Sequence, residues 1–169
     1  MSISAQDILE AKNKFKWDYF AEICIKEPKS LKFVVETMLD GKSPHVQRAA
    51  AILTKVQDKR KRALLPFIGP MIQRLQSPAH DAVIRNIFRL FQIHDFSINQ
   101  EARVMDIAFL YFQDPESAIA IKVFSMTTLV RLAKKYPDLL NEIKAIVKYQ
   151  KPYMSKGMLS RSRSLGLLS

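Results

Sequence analysis

Ser43-Pro44-His45-Val46-Gln47-Arg48-Ala49-Ala50-Ala51-Ile52-Leu53 puts a proline in a turn and runs directly into an apolar stretch. Val46, Ala49, Ala50, Leu53 and Val56 recur at i, i+3, i+4, i+7 and i+10, which is one face of a 3.6-residue helix. The same arrangement returns twice. Ser77-Pro78 leads to Arg85-Asn86-Ile87-Phe88-Arg89-Leu90, and Asp114-Pro115 leads to Lys122-Val123-Phe124, so a cation falls at 48, 85 and 122 with a spacing of 37 each time. A second apolar element precedes each of these. The preceding elements are Leu31-Lys32-Phe33-Val34-Val35, Leu64-Leu65-Pro66-Phe67-Ile68 and Ala102-Arg103-Val104-Met105, and Leu139-Leu140 with Ile143 begins a fourth. From Leu65 to Ala102 to Leu139 the step is again 37. Self-similarity at a period of this size marks stacked repeats, each too small to bury its apolar face alone. The unit is a pair of helices, A then B, joined by a short turn containing proline.

No stretch alternates apolar and polar residues over several positions, and hairpin signals such as Asn-Gly are absent, so the chain is expected to be all-α. Ser43-Pro44 and Ser77-Pro78 place a helix N-cap ahead of a proline at the first helical position, where its missing N–H costs nothing. Asp114-Pro115 does the same with an acid at the positive end of the helix dipole. Pro28 and Pro137 mark helix stops, because the residue before proline disfavours the α region. Gly69-Pro70, inside the pattern of 63–76, predicts a kink there.

A two-helix unit with Leu-Leu-Pro in helix A, a Ser/Asp-Pro turn, and an Arg followed by small residues in helix B resembles the HEAT repeats of the armadillo-like superfamily. The best match is Ser43 to Ile68. The resemblance implies an α–α superhelix: one domain over 1–169, with residues 3–24 as an N-terminal capping helix and four repeats at about 30–62, 63–94, 97–136 and 137–169. The sequence departs from the family in its 37-residue period, shorter than the roughly 40–47 of HEAT and armadillo repeats, and in Lys122, which stands where the other units carry Arg. Tetratricopeptide repeats, at about 34 residues, are the nearest alternative, but their Trp, Gly, Tyr and Ala-Phe positions are not found at one offset here. The tail from Ser155 supplies the fourth B helix through Leu159, Leu165 and Leu168, or else its Ser-Arg-Ser-Arg-Ser run is a free basic arm.

Composition removes several classes of function. With 169 residues, 48% of them apolar, and only 4 Gly and 8 Pro, the chain can bury a core and is neither disordered nor collagen-like. The one thiol, Cys24, can form no internal disulfide, and it lies between Ile23 and Ile25 as a packing residue. A reducing, cytoplasmic setting is expected. No apolar run approaches the roughly 18 residues of a membrane span, and the N-terminus has no signal-peptide core. His45, His80 and His94 form no metal-ligating spacing, and Gly41, Gly69, Gly157 and Gly166 are isolated rather than gathered in a phosphate loop. No catalytic residue, cofactor or metal is therefore assigned. Asp58 and Asp81 border the B series as ion-pair partners of its cations.

Charge is what the sequence offers for binding. The chain carries 27 Lys+Arg against 16 Asp+Glu. The B segments, 43–62, 77–94, 115–136 and 152–169, hold 15 basic residues and 3 acidic ones, while the A segments, 30–42, 63–76, 97–114 and 137–151, hold 7 of each. In stacked two-helix repeats the two series line opposite surfaces, and the resemblance implies that B helices line the concave one, so a basic groove is expected. Arg48, Arg85 and Lys122 hold the repeat's own basic position and are expected to bridge neighbouring units. The expected binding surface consists of Lys55, Lys59, Arg60, Arg62, Arg89, Arg131, Lys134, Lys135, Arg161 and Arg163. Lys59 to Arg62 and Lys134-Lys135 also suit helix C-termini, where cations offset the dipole and are simply solvated.

The expected function is a non-catalytic scaffold that takes an acidic protein segment, or a phosphate backbone, on this surface, with a protein partner favoured. The alternative is a nucleic-acid-binding protein resembling the HEAT-like DNA alkylation-repair glycosylases. That reading needs aromatic residues beside the cations, and the aromatic group Phe15, Trp17, Tyr19 and Phe20 is more simply explained as packing on the first repeat. Self-association through an exposed apolar end layer is a third possibility.

Overall fold

The computed structural model describes residues 2–169. It is helical over 78% of the chain, and no strand forms among the described residues, as the periodicity requires. The chain divides into two compact units, Met1–Leu90 and Phe91–Ser169.

The first unit contains α1 (Ala5–Glu10), α2 (Lys14–Lys26), α3 (Pro28–Asp40), α4 (His45–Arg60), a 3-10 run (Lys61–Phe67), α5 (Ile68–Leu75) and nearly all of α6 (Asp81–Phe91). Its centre is α4, which packs on α1, α2 and α3. The stripe read from the sequence is the face it buries: Val46, Ala49, Ala50, Ile52, Leu53 and Val56 are all at most 2% exposed. Burying each Leu, Ile or Val fully is worth about 1.5–3 kcal/mol, so this one helix anchors the unit. The stretch 3–24, expected as one capping helix, forms two. Asn13 ends the break between them by accepting the Lys16 N–H at 3.0 Å, and the Trp17 indole N–H donates to the Ala11 carbonyl at 2.7 Å. Pro28 both stops α2 and opens α3 at its first turn. Gly41 follows the end of α3, at a place where any Cβ would lie 2.3 Å from the Thr37 carbonyl oxygen.

The expected kink at Gly69-Pro70 lies further upstream. The chain leaves the α-helix at Arg60, runs as a 3-10 helix containing Pro66, and resumes at Ile68. Pro70 is then the third residue of α5, where its missing N–H was not needed by the helix. The expected caps also shift. Helix α4 starts at His45 with Pro44 in the cap position, α6 at Asp81, and the helix that follows Asp114-Pro115 only at Ile119. Ser77 cannot cap α6, because its hydroxyl donates to the Arg74 carbonyl and accepts from the Arg74 guanidinium. The His80 imidazole does so instead, its Nδ1 accepting the Ala82 N–H at 3.1 Å. Asp114 holds its own turn, accepting from the Glu116 N–H and the Ser117 hydroxyl.

The second unit contains α7 (Ile98–Gln113), α8 (Ile119–Ala133), α9 (Pro137–Gln150), a 3-10 turn (Lys151–Tyr153) and α10 (Lys156–Ser164). Ser97 and Gln100 close a reciprocal capping box on α7. Helix α8 packs between α7 and α9 and buries Ile121, Met126, Leu129 and Leu132. The tail docks as α10 against α8, with Met158, Ser162 and Leu167 buried. It ends in a Schellman motif: Gly166 takes φ +71°, its N–H reaches the Arg163 carbonyl, and the Leu167 N–H reaches the Ser162 carbonyl.

Candidate binding surface

The structure sorts the B-series cations into two groups. One group is turned onto partners within the protein. Arg48 donates from its guanidinium to the Leu9 carbonyl at the end of α1, 39 residues upstream. Lys55 pairs with Asp58 at 3.2 Å within α4, and Lys122 donates to the Pro115 carbonyl at 3.2 Å. Lys59 donates to Glu22 at 2.8 Å and lies 3.7 Å from Asp18, both on α2. That hydrogen bond holds the Glu22 carboxyl below its usual range and pushes the Lys59 amine up.

Arg131 lies in the second unit with its guanidinium 5.6 Å from the Phe96 ring centroid and 3.8 Å from Asp95. Burial lowers its pKa, and its Nε is buried without a hydrogen-bond partner. Lys135 donates to the buried carboxylate of Glu101, which also accepts the Tyr136 hydroxyl at 2.9 Å. The hydrogen bond from Lys135 holds Glu101 below the usual carboxylate range, and Lys135 is pushed up in return. The Arg48–Leu9, Lys59–Glu22, Arg131–Asp95 and Lys135–Glu101 contacts join residues 34 to 39 apart, close to one repeat, so these cations tie neighbouring helix pairs together.

The other group remains open. Arg60, Arg62, Lys134 and Arg163 are exposed and Arg161 half-exposed, and none of the five has an ion-pair partner among the described residues. All five sit at or just past the C-terminal end of a B helix: Arg60 and Arg62 at α4, Lys134 at α8, Arg161 and Arg163 at α10. Arg85 is half-buried and Arg89 exposed on α6.

Three features went unread in the sequence. Arg74, in an A helix, donates to the Leu39 carbonyl at 3.1 Å and lies 3.5 Å from Asp40, joining α5 to the end of α3. Beside Arg60 and Arg62 lies an apolar cleft of about 500 Å3. In the second unit, Tyr149 and Tyr153 are 81% and 88% exposed and border a cleft with Lys122. The aromatic group expected near the N-terminus divides: Phe20 is buried, Trp17 serves the α1 end, and Phe15 faces solvent.

The reactive groups are restrained. Cys24 is 1% exposed, and burial pushes its thiol up to about 12, so it stays protonated at neutral pH. No group of three His, Cys, Asp or Glu residues placed to hold a metal occurs among the described residues. No helix among them is long and apolar enough to cross a membrane.

No curated protein and no solved structure matches the chain. The family of the HEAT repeat domain matches residues 10–165, which takes in every helix from the end of α1 to α10. The paired helices, the inter-repeat ties near one period apart and this match agree: the chain belongs to the HEAT repeat family.

Proposed function

We propose that the chain is a non-catalytic binding module whose open B-helix cations, Arg60 and Arg62 in the first unit and Lys134, Arg161 and Arg163 in the second, receive acidic segments of a partner protein. HEAT repeats are characteristically protein-interaction scaffolds. The observation that carries the acidic partner is the set of five cations, Arg60, Arg62, Lys134, Arg161 and Arg163, left without ion pairs while Arg48, Lys55, Lys59, Arg131 and Lys135 are engaged within the protein. Four of the five are Arg, whose guanidinium takes a carboxylate in two parallel hydrogen bonds. Reversing the charge at all five should abolish capture of acidic peptides from a displayed library and leave the thermal melt in place. Unchanged capture would refute the reading.

A second reading has its own support. Tyr149 and Tyr153 stand exposed among Lys144, Lys148, Lys151 and Lys156, with no acid from 143 to 169. Exposed aromatics beside cations suit stacking of single-stranded bases. Tyr149→Ala with Tyr153→Ala would then remove oligonucleotide binding, whereas acidic-peptide binding should not change.

A further inference from the structure

The cleft beside Arg60 and Arg62 is formed where two helix junctions meet in the first unit. One wall is the α2–α3 corner, with Cys24, Ile25, Pro28 and Leu31, and the other is the 3-10 run, with Ala63, Pro66 and Phe67. The α-helix breaks at Arg60 (φ −148°, ψ 70°), and the chain runs on through Pro66 as a 3-10 helix before α5 begins at Ile68. An α-helix continued past Arg60 would carry this run away along the α4 axis, so the break is what builds the second wall. At about 500 Å3 the cleft falls within the roughly 300–1,000 Å3 of sites that take organic ligands. Leu65, next along the run, is 46% exposed, and so the apolar surface continues outside the cleft.

The charged residues lining this apolar cleft are all cations: Lys32, Arg60 and Arg62. Lys32 spends part of its charge on Glu36, 3.7 Å away on the same helix face. Arg60 and Arg62 are exposed and have no acid on them among the described residues. The Glu27 carboxylate lies outside the lining and accepts the Ser30 hydroxyl at 2.5 Å. The Cys24 thiol, with its pKa raised by burial, adds no negative charge to the floor.

We infer that this cleft is the docking site for an acidic peptide segment that carries a large apolar side chain, seated against Ile25, Leu31, Pro66 and Phe67, with flanking carboxylates on Arg60 and Arg62. The inference rests on the acidic-partner reading and gives it a location. The apolar lining supplies burial for the anchor, and the two guanidiniums, two residues apart at the cleft mouth, select the charge around it. An anchor without acids would leave the guanidiniums unused, and acids without an anchor would gain only exposed ion pairs, which are weak.

The test uses the full chain and a short fluorescein-labelled peptide of Asp and Glu with one central Leu, read by anisotropy, together with the same peptide carrying Ser for Leu and a labelled oligouridylate. The Leu peptide should bind, and exchange of its Leu for Ser should weaken it about tenfold, as should Arg60→Glu with Arg62→Glu. Ala63→Trp, which fills the cleft and leaves every charge in place, should cost the Leu peptide its advantage over the Ser peptide. Circular dichroism melts of both variants check that the fold is kept, and Arg60→Lys with Arg62→Lys provides a milder change should the reversal unfold. Leu-peptide binding that survives the Arg60/Arg62 and Ala63 variants would overturn the cleft and leave the acidic-partner reading to the remaining cations. No binding of either peptide at low salt would overturn both. Oligouridylate binding lost in the same Arg variants, without peptide binding, would overturn the inference in favour of a phosphate backbone.

Discussion

Glu101 is the residue where fold and charge are most tightly joined. The residue is only 2% exposed, and its carboxylate is kept ionised by the Lys135 amine and the Tyr136 hydroxyl. The pKa shifts set the sign of its pH dependence. The Glu101 pKa is lowered in the folded chain, so its contribution is present above the ordinary carboxylate range and is lost as pH falls through the lowered value. The Lys135 pKa is raised, so its share is full below 10.5 and is lost as pH rises past that through the raised value. Lys135→Ala should therefore lower the melting temperature at neutral pH, and Glu101→Gln should flatten the acid limb of a melting-temperature profile; an unaltered acid limb would show that the pair contributes nothing. Lys134-Lys135 could be read from the sequence only as a helix-end cation pair, because the acid that engages Lys135 lies 34 residues away in the chain. Gly166 is a simpler case. It holds φ +71° with open space where a Cβ would stand, so Gly166→Ala should cost about 1–2 kcal/mol, from backbone conformation alone. Thermal denaturation of the single variant measures this directly.

Among the elements, the core stripe of α4 was fully legible, because burial follows the 3.6-residue period whatever surrounds the helix. Leu53→Ala, at a position with no exposure, should cost about 2–5 kcal/mol in denaturant unfolding. The helix starts were less legible. Ser77 and Asp114 have capping side chains, yet each is engaged elsewhere, by Arg74 and by the 114–117 turn, and local sequence does not reveal which of several competing acceptors wins. The break at Lys61–Phe67 was signalled by Pro66, but Gly69-Pro70 is the stronger breaker on paper and drew the expected kink downstream. The tail could be read two ways, because its Ser-Arg run looks like a solvated arm while its leucines look like a core face. Both descriptions are partly true: the expected contacts Leu159, Leu165 and Leu168 are only half-buried, Met158, Ser162 and Leu167 are buried in their place, and Arg163 is exposed. Deleting residues 155–169 should lower the melting temperature by several degrees, at roughly 2–4 °C per kcal/mol for a chain of this size. A melt unchanged by the deletion would mean that α10 does not hold the second unit's core.

At the scale of the whole chain, the 37-residue period was visible because each repeat must bury the same face against its neighbour. The division into Met1–Leu90 and Phe91–Ser169 was not visible, since the apolar pattern of α6 runs through Phe91 without a change in composition. The binding surface was legible as a charge imbalance between helix series and illegible as a set of residues. Lys59, Arg131 and Lys135 look the same in sequence as Arg60, Arg62 and Arg163, and only the placement of Glu22, Asp95 and Glu101 separates them, whereas the Asp58 partner of Lys55 lies three residues on. Reversal at Lys55 or Lys59 should therefore chiefly disturb the protein's own ion pairs, whereas reversal at Arg60, Arg62, Lys134, Arg161 and Arg163 should chiefly disturb binding. The measurement that tests this most directly is anisotropy of a labelled acidic peptide against the wild-type chain and the five-site reversal, titrated across salt. Binding should weaken steadily with ionic strength and disappear in the reversal at unchanged secondary structure. Binding retained in the reversal, or absent from the wild-type chain at low salt, would contradict this.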